Sequence, residues 1–402
     1  MLNLQLSLIE LNRLRSLKKA STADAAEFEK LFSSALSLVK HDTELLNRKG
    51  YREISAQIFD EYINYKMRTG QHADAHYFNE VKKLLIASSK YGINLFRYAS
   101  GMIDMGALQQ ALPDRGLYVN IAKNKNNLFI WTADKKTKRA FVIENGYSSF
   151  MNFKVRNEKV FVSGKDFNRI SGEITGILSS LTGIMKDKKV ILISVDSYTE
   201  NIPIEIVGTD KMISEKSVLL YIPSLIVSTA ANSSFTREVY VPETDSSLQS
   251  YVSKTAIRES GIKFNTKNAS DRGLVHISSG IKFSQKENKF TVSGKSISGI
   301  LKKASGLFAP SDGIKGAGYT DFLLGSRSFD LQAAVFNSSS IQDTNSAVFI
   351  GEYYQALGKG SSVQESFIDA MNKVRAINRF SHPSYWSGIR LNIYNLNLLK
   401  EK

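Results

Sequence analysis

The chain has 402 residues, 42% of them hydrophobic and 10% aromatic, so it is long enough for two or three domains with separate cores. It contains no cysteine, which excludes disulfides, thiolate metal sites and thiol catalysis. Its net charge of +15 permits attraction to nucleic acid, to anionic lipid or to an acidic partner.

The basic residues occur in small scattered groups, such as Lys135–Arg139 and Lys186–Lys189. There is no stripe of arginines alternating with aromatic residues, and there is no signature of a nucleic-acid-binding module. A solvated, lysine-rich surface is therefore favoured over specific nucleic-acid binding. The latter stays an alternative, which a steep loss of binding with salt would support.

The first residues do not resemble a targeting segment. Met1–Lys19 carries Glu10, Arg13 and Arg15 among its leucines, so it lacks the apolar core of a signal peptide. No run of about 18 apolar residues occurs, so we expect no membrane span. These features predict a cytoplasmic protein.

Residues 1–111 are predicted to form an all-α region. The segment Thr22–Val39 begins with an N-cap, and its apolar residues recur at three- and four-residue steps, as one buried helix face requires. Further helices are predicted over 51–68, 72–91 and 93–112, which glycines separate. The spacing suggests helical hairpins, loosely like tetratricopeptide repeats, that pack on the following domain or bind a partner.

Two histidines of this region are spaced like zinc ligands. His72 and His76 lie four residues apart, so they share one face of a helix. However, Ala73 occupies the place of the glutamate in the metalloprotease motif, and no third ligand is apparent. We therefore predict no metal and interpret the histidines as a solvated or partner-facing pair.

Leu112–Gly116 breaks the helical pattern and marks a domain boundary. Residues 112–165 are predicted to form a β meander, with strands at 117–122, 128–132 and 140–143. The α/β core is predicted to follow over 166–402, beginning with an amphipathic helix, Phe167–Met185. The next apolar run, Val190–Asp196, is typical of a strand buried on both faces. Asp196 lies at its carboxyl end, where ligand-binding residues cluster in such sheets.

The rest of the core alternates between strands and helices, which predicts a mixed α/β sheet flanked by helices. Strands are predicted within 202–206, 217–225, 239–241, 273–280, 329–336 and 386–394, helices over 246–259, 345–357 and 363–374, a hairpin over 281–294 and a glycine-rich loop over 306–320. The loop lacks the Gly-Lys-Ser/Thr ending of a phosphate-binding loop. The strand over 329–336 stops abruptly at the polar turn 337–340.

Four segments in register resemble the CHAT family, a caspase-like domain of clan CD often found beside tetratricopeptide repeats. They are Ile202–Glu205, Tyr221–Ser224, Gly351–Ser366 and His382–Trp386. The resemblance spans about residues 112–395. It implies a caspase-like mixed sheet flanked by helices and preceded by the all-α region. Members are cysteine peptidases, whose dyad is a histidine just before a glycine at one strand end and a cysteine at the next.

At both catalytic positions this chain departs from the family pattern. Aligning His276–Ile281 on the histidine strand puts Gly280 at the catalytic histidine, and the family's cysteine falls within one residue of Ser339. Glycine cannot accept a proton, and a serine hydroxyl without a base is a weak nucleophile. Along an extended strand His276 is about 13 Å from the strand end, whereas a general base must lie within about 3 Å. We therefore expect His276 to be a packed strand residue.

The predicted function is that of a catalytically inactive pseudoprotease, a scaffold or regulatory subunit without cofactor or metal. Its cleft would be lined by Asp196, Ser279, Asn337, Ser338 and Ser339. Partners would be proteins, either an active protease or effector or a second copy of the chain. The resemblance implies a prokaryotic antiviral defence, cell-death or signalling assembly.

An alternative is a CHAT peptidase inactivated by construction, in which Ser339 replaces the nucleophilic cysteine. Gly280 argues against this alternative, because a deliberate change of histidine is usually to alanine, asparagine or glutamine.

Overall fold

The computed structural model describes residues 5–10, 22–41, 49–91, 105–163, 167–208, 212–226, 238–242, 248–266, 273–278, 281–284, 289–292, 294–309, 324, 331–337, 343–377, 386 and 388–399. The chain divides into two compact units. The first comprises Met1–Ile103 with Ser224–Val227 and Asp321–Gly325, and the second comprises the remaining residues. The sequence placed this division at 111/112 instead.

The first unit is helical, with α1 (Thr22–His41), α2 (Lys49–Arg68) and α3 (His72–Tyr91). Its core is aromatic. The Phe32 ring stacks on that of Tyr62 with centroids 3.6 Å apart, and Phe59 and Phe78 pack edge-on against Phe32. The helices predicted at Thr22–Val39, 51–68 and 72–91 are thus confirmed. Of the helix predicted at 93–112, the described part is α4 (Met105–Ala111), in the second unit.

The second unit is built on strands whose bounds are β1 (Gly116–Asn124), β2 (Asn127–Ala133), β3 (Lys138–Ile143), β4 (Val190–Val195), β5 (Val218–Tyr221), β6 (Glu238–Tyr240), β7 (Lys263–Asn265), β8 (Leu274–His276), β9 (Ile281–Ser284), β10 (Lys289–Val292), β11 (Lys295–Ser296), β12 (Gly306–Ala309), β13 (Ala333–Asn337) and β14 (Ile389–Ile393). Among the described residues, one sheet has the order β3-β2-β1-β4-β5-β14-β13-β12-β8-β6-β7, and β9, β10 and β11 form a small second sheet.

The helices of this unit, after α4, are α5 (Gly146–Ser163), α6 (Phe167–Ile177), α7 (Ser179–Met185), α8 (Ile213–Lys216), α9 (Leu248–Glu259), α10 (Ser298–Leu301), α11 (Asp343–Gly358) and α12 (Val363–Ala376), with 3₁₀ turns at Ile204–Ile206 and Leu396–Leu399. No helix in the described ranges is long and apolar enough to cross a membrane.

Apart from the antiparallel strands β2 and β3, the large sheet consists of two parallel blocks of opposite direction. Strands β1, β4, β5 and β14 run one way, and β13, β12, β8, β6 and β7 run the other way. The blocks meet at the antiparallel pair β13 and β14, in which Asn337 lies opposite Ile389. The strands of one block therefore have their carboxyl ends at one side of the sheet, and the strands of the other block have theirs at the opposite side.

Most predicted elements are confirmed. Strand β4 is buried on both faces, since Ile191, Leu192 and Ile193 are all 0% exposed. The three predicted strands of the meander form, but β1 pairs with β4 and so joins them to the main sheet. Helix α5 within this region was not predicted. The single helix predicted at Phe167–Met185 is two helices that a turn at Leu178 separates.

Two local predictions are wrong. The segment Ile202–Ile206 is a turn ending in 3₁₀ helix rather than a strand, because Pro203 has no N–H to donate to a ladder. The start of the predicted glycine-rich loop, Gly306–Ala309, is the buried strand β12 between β8 and β13. Four residues followed by many glycines give too short an apolar run to show as a strand.

Candidate functional site

The carboxyl ends of β8, β12 and β13 define one edge of the sheet. His276 ends β8 and Asn337 ends β13, but β12 lies between them, so the two strands are about 10 Å apart. On the side facing β13, the strand that adjoins β8 is thus β12, whose chain continues into Pro310 outside the described residues. The sequence analysis instead took β13 as the neighbour when it aligned the cysteine position on Ser339.

Several predicted cleft residues lie outside the described residues, namely Ser279, Gly280, Ser338 and Ser339. Two of the candidates are described, Asp196 and Asn337, and Asn337 is 1% exposed. Its side chain is therefore enclosed among neighbours instead of lining an open surface.

His276 is enclosed in the core and is 0% exposed. Its Nδ1 lies 2.7 Å from the hydroxyl of Tyr354, and its Nε2 lies 3.0 Å from the hydroxyl of Ser278. Its ring packs against Phe308 of β12, with centroids 5.2 Å apart. Burial raises the pKa of Tyr354 well above its usual range, so its hydroxyl stays protonated at neutral pH. Both ring nitrogens of His276 are thus engaged, as in a packed strand residue.

The sequence analysis missed the partnership between His276 and Ser278. Residues i and i+2 of an extended chain face the same side, and that periodicity could have indicated it. A distance of 3.0 Å is within reach for a general base. However, Ser278 is only 2% exposed and its hydroxyl lies 3.3 Å from that of Ser253 on α9. The pair connects β8 to α9 and α11 and is closed to solvent.

Asp196 does not belong to this edge. It follows β4, whose carboxyl end lies at the opposite edge, three strands from β13. Its Oδ1 accepts the backbone N–H groups of Tyr198 and Thr199, both at 2.9 Å, and its Oδ2 accepts that of Lys123 at 2.9 Å. The predicted cleft that groups Asp196 with Asn337 is therefore wrong, and the carboxylate holds a turn.

Two segments of the family resemblance meet in a buried charge network. The Arg390 Nε of β14 donates to the Glu205 carboxylate at 2.9 Å, and its Nη1 donates to the Glu200 carbonyl at 2.7 Å. The Tyr221 hydroxyl also donates to Glu205, and the guanidinium lies 4.5 Å over the Tyr221 ring. The similarity at Ile202–Glu205 and Tyr221–Ser224 thus includes residues that hold β5, β14 and the preceding turn together.

The two histidines of the helical unit differ from the prediction. His72 is exposed, but His76 is 2% exposed and lies beside Glu80 and Lys83, which are 0% and 2% exposed. Glu80 accepts hydrogen bonds from the Lys83 ammonium at 2.7 Å and from the Leu225 backbone N–H at 2.8 Å. The solvated or partner-facing interpretation is therefore wrong for His76. No group of three or more potential metal ligands occurs in the described part of the chain.

His76 makes the stability of the helical unit depend on pH. Burial lowers its pKa to about 4, and Lys83 acts in the same direction against Glu80. As the pH falls below about 6.5, the unfolded chain binds a proton that the folded chain rejects. Stability should fall by roughly 2–4 kcal/mol between about pH 6.5 and pH 4.

This dependence can be measured as the urea concentration at the midpoint of unfolding of the helical unit. Unfolding is monitored by limited proteolysis, once at pH 7 and once at pH 5. Both values lie above the range in which Glu80 is protonated, since the pKa of its carboxyl is lowered. Burial alone would raise that pKa, but Lys83 and His76 outweigh the burial. His76→Gln should remove most of the midpoint shift, and His72→Gln should retain it. Equal shifts in His76→Gln and the parent would refute the assignment.

No protein-family model and no curated protein sequence matches the chain. Among solved structures, a crystal structure of the Saccharomyces cerevisiae separase–securin complex at 2.6 Å resolution is similar, with a TM-score of 0.51 and 7% identity over 92% of this chain and 37% of that chain. The fold is caspase-like. A second crystal structure of the same complex, at 3.0 Å resolution, has a TM-score of 0.48 and 8% identity, and covers 90% of this chain and 37% of that chain.

The likeness concerns the fold alone, and the chain spans 37% of the matched separase chain. The predicted fold class, a caspase-like mixed sheet flanked by helices and preceded by a helical region, is confirmed.

Proposed function

We propose that this chain is a catalytically inactive caspase-like protein that acts by binding a protein partner. The observation that carries the proposal is the environment of His276, the one histidine of the described part of the second unit. Both its ring nitrogens are engaged and it is 0% exposed. An imidazole in this state cannot activate a nucleophile of the protein for attack on a substrate.

Composition and sequence support the same conclusion. The chain has no cysteine, and glycine occupies position 280, where the family alignment expects the catalytic histidine. The chain therefore lacks both the nucleophile and the base of a peptidase of this type. The prokaryotic defence, cell-death or signalling assembly that the CHAT resemblance implies is part of this proposal, as is the role of this chain as a scaffold or regulatory subunit.

Strand pairing offers a mode of association. In the described sheet, β14 is paired on both sides, whereas β3 and β7 end the sheet. Strand β7 has only three residues, and very short edge strands resist pairing. Strand β3 has six residues, and its Lys138 and Arg139 are exposed. An acidic extended segment of a partner would fit β3 by strand addition. The similar crystal structure at 2.6 Å resolution is likewise that of a complex, separase with securin.

Inactivity can be tested by incubating the protein with a fluorophosphonate probe, with a known serine hydrolase as the positive control. We expect no covalent adduct in the intact mass spectrum, because both ring nitrogens of His276, the described histidine of the second unit, are engaged. An adduct that peptide mapping places at a serine such as Ser278 or Ser339, and that serine-to-alanine substitution at that position removes, would overturn the proposal of inactivity.

Partner binding can be tested by affinity purification from the native host. We expect one protein to co-purify at fixed stoichiometry, and the double substitution Lys138→Glu with Arg139→Glu should reduce its recovery. The exposed pair Lys302 and Lys303, changed to glutamate, serves as a control of equal charge change. Equal loss in both variants would assign the interaction to net charge, and no co-purifying protein would count against a scaffold.

A further inference from the structure

A cavity of about 320 Å³ lies in the second unit between α8, α12 and the beginnings of β4, β5 and β14. Its walls include the apolar side chains Leu219, Phe367, Met371, Trp386 and Ile389. The volume is within the range of small-molecule sites, about 300–1,000 Å³. Neither the sequence resemblance nor the proposed partner binding accounts for this cavity.

Helix α12 directs a stripe of side chains into the cavity. Its first turn is fixed by a capping box, in which the Ser362 hydroxyl accepts the Glu365 N–H and the Glu365 carboxylate accepts the Ser362 N–H. Phe367, Met371 and Arg375 then follow at four-residue steps, so they share one face of the helix. The cavity thus has an apolar wall that ends in a cation.

Arg375 is held in place but not satisfied. Its guanidinium lies 4.2 Å over the Trp386 ring, and its Nη1 donates to the Ser214 carbonyl at 2.6 Å. Its Nε is buried and has no hydrogen-bond partner among the described residues. Burial lowers the pKa of Arg375 to about 10, although Glu215 and Glu205 oppose this, so the group is charged at neutral pH.

Ser214 adds a second polar group on the same wall. It is 3% exposed, and its buried hydroxyl also has no partner within the described ranges. Buried polar groups in proteins are nearly always hydrogen-bonded. Both unsatisfied atoms are closed off from the open space of the cavity, so a ligand would reach Arg375 through the terminal N–H groups of its guanidinium.

The charge of the cavity favours an anion. Of its acidic residues, Glu205 is engaged by Arg390 and Tyr221, and Glu215 is exposed. Lys189 and Lys216 are exposed lining residues, so they add positive charge at the mouth. The lining thus carries three cations against two carboxylates, and a charge-assisted hydrogen bond from Arg375 to an anionic group is about twice as strong as a neutral one.

We propose that this cavity binds a small carboxylic acid with a compact apolar body. The carboxylate would accept hydrogen bonds from the terminal N–H groups of the Arg375 guanidinium. The apolar body would lie between Phe367, Met371 and Trp386. The proposal is independent of whether the chain is an active enzyme or binds a protein.

The test is isothermal titration calorimetry of the full chain with 3-phenylpropionate and with its neutral amide. We expect the acid to bind and the amide to bind about tenfold or more weakly, because the amide loses the charge-assisted contact. Arg375→Gln should weaken the binding of the acid by a similar factor. Arg258→Gln is the matched control, because Arg258 also stacks on an aromatic ring, that of Phe264 at 5.2 Å, but does not line the cavity.

A second variant covers the case in which Arg375→Gln does not fold. Ile368 is half-buried on the cavity wall, so Ile368→Trp should fill the space and abolish binding without changing charge. Equal affinities for acid and amide, unchanged binding in Arg375→Gln or Ile368→Trp, or no binding at the solubility limit would overturn the proposal. Tighter binding of a short peptide that ends in phenylalanine would overturn the small-molecule assignment in favour of a polypeptide terminus.

Discussion

Replacing Arg390 by methionine is expected to lower the free energy of unfolding of the second unit by about 3–5 kcal/mol. The substitution leaves the Glu205 carboxylate, whose residue is 6% exposed, with the Tyr221 hydroxyl but without its counter-ion. A buried charge without compensation costs far more than the lost attraction of an exposed pair. The effect should therefore exceed that of removing any surface arginine.

The measurement is a urea titration followed by tryptophan fluorescence. The chain has two tryptophans, Trp131 and Trp386, and both are buried in the second unit, so the signal reports that unit. Arg139→Met, at an exposed position of β3, should change the stability by less than about 0.5 kcal/mol.

The double variant Arg390→Met with Glu205→Leu separates the two causes. It removes both charges, and a buried ion pair can often be replaced by apolar residues at little cost. We expect it to recover more than half of the stability that Arg390→Met loses. If Arg390→Met alone stays within about 1 kcal/mol of the parent, the buried network does not hold these strands together.

In the helical unit, Glu80→Gln is expected to lower the free energy of unfolding by about 3–5 kcal/mol. The Lys83 ammonium, of which 2% is exposed, would lose the carboxylate at 2.7 Å. The Leu225 N–H would exchange a charged acceptor for a neutral one. This unit contains neither tryptophan, so fluorescence does not report on it. Hydrogen exchange measured by mass spectrometry on peptides of α2 and α3 reports on it directly.

Glu53→Gln provides the control on α2. Its side chain is exposed, and exposed charge pairs contribute at most about 1 kcal/mol. Exchange rates in the helical unit should therefore stay near those of the parent in Glu53→Gln and rise strongly in Glu80→Gln. Equal protection in the two variants would show that the buried pair is not a stabilising element.

Periodicity was informative wherever an element was long. The helices α2, α3, α11 and α12 and the strand β4 lie close to their predicted positions, because each presents a sustained apolar face or a run buried on both sides. Periodicity failed at Gly306–Ala309, where four residues are a strand only because β8 and β13 pair with them. Such a short run carries no period of its own.

The sequence by itself determined the absence of a thiol nucleophile, the glycine at position 280 and the caspase-like fold class. Only the tertiary structure decided which side chains meet. The antiparallel pair β13 and β14 reverses the sheet, so Asp196 lies at the other edge from Asn337, although both end strands. Burial and hydrogen bonding likewise depend on contacts between distant segments, and these engage His276 in the core and bring Arg375, Ser214 and Trp386 to one cavity.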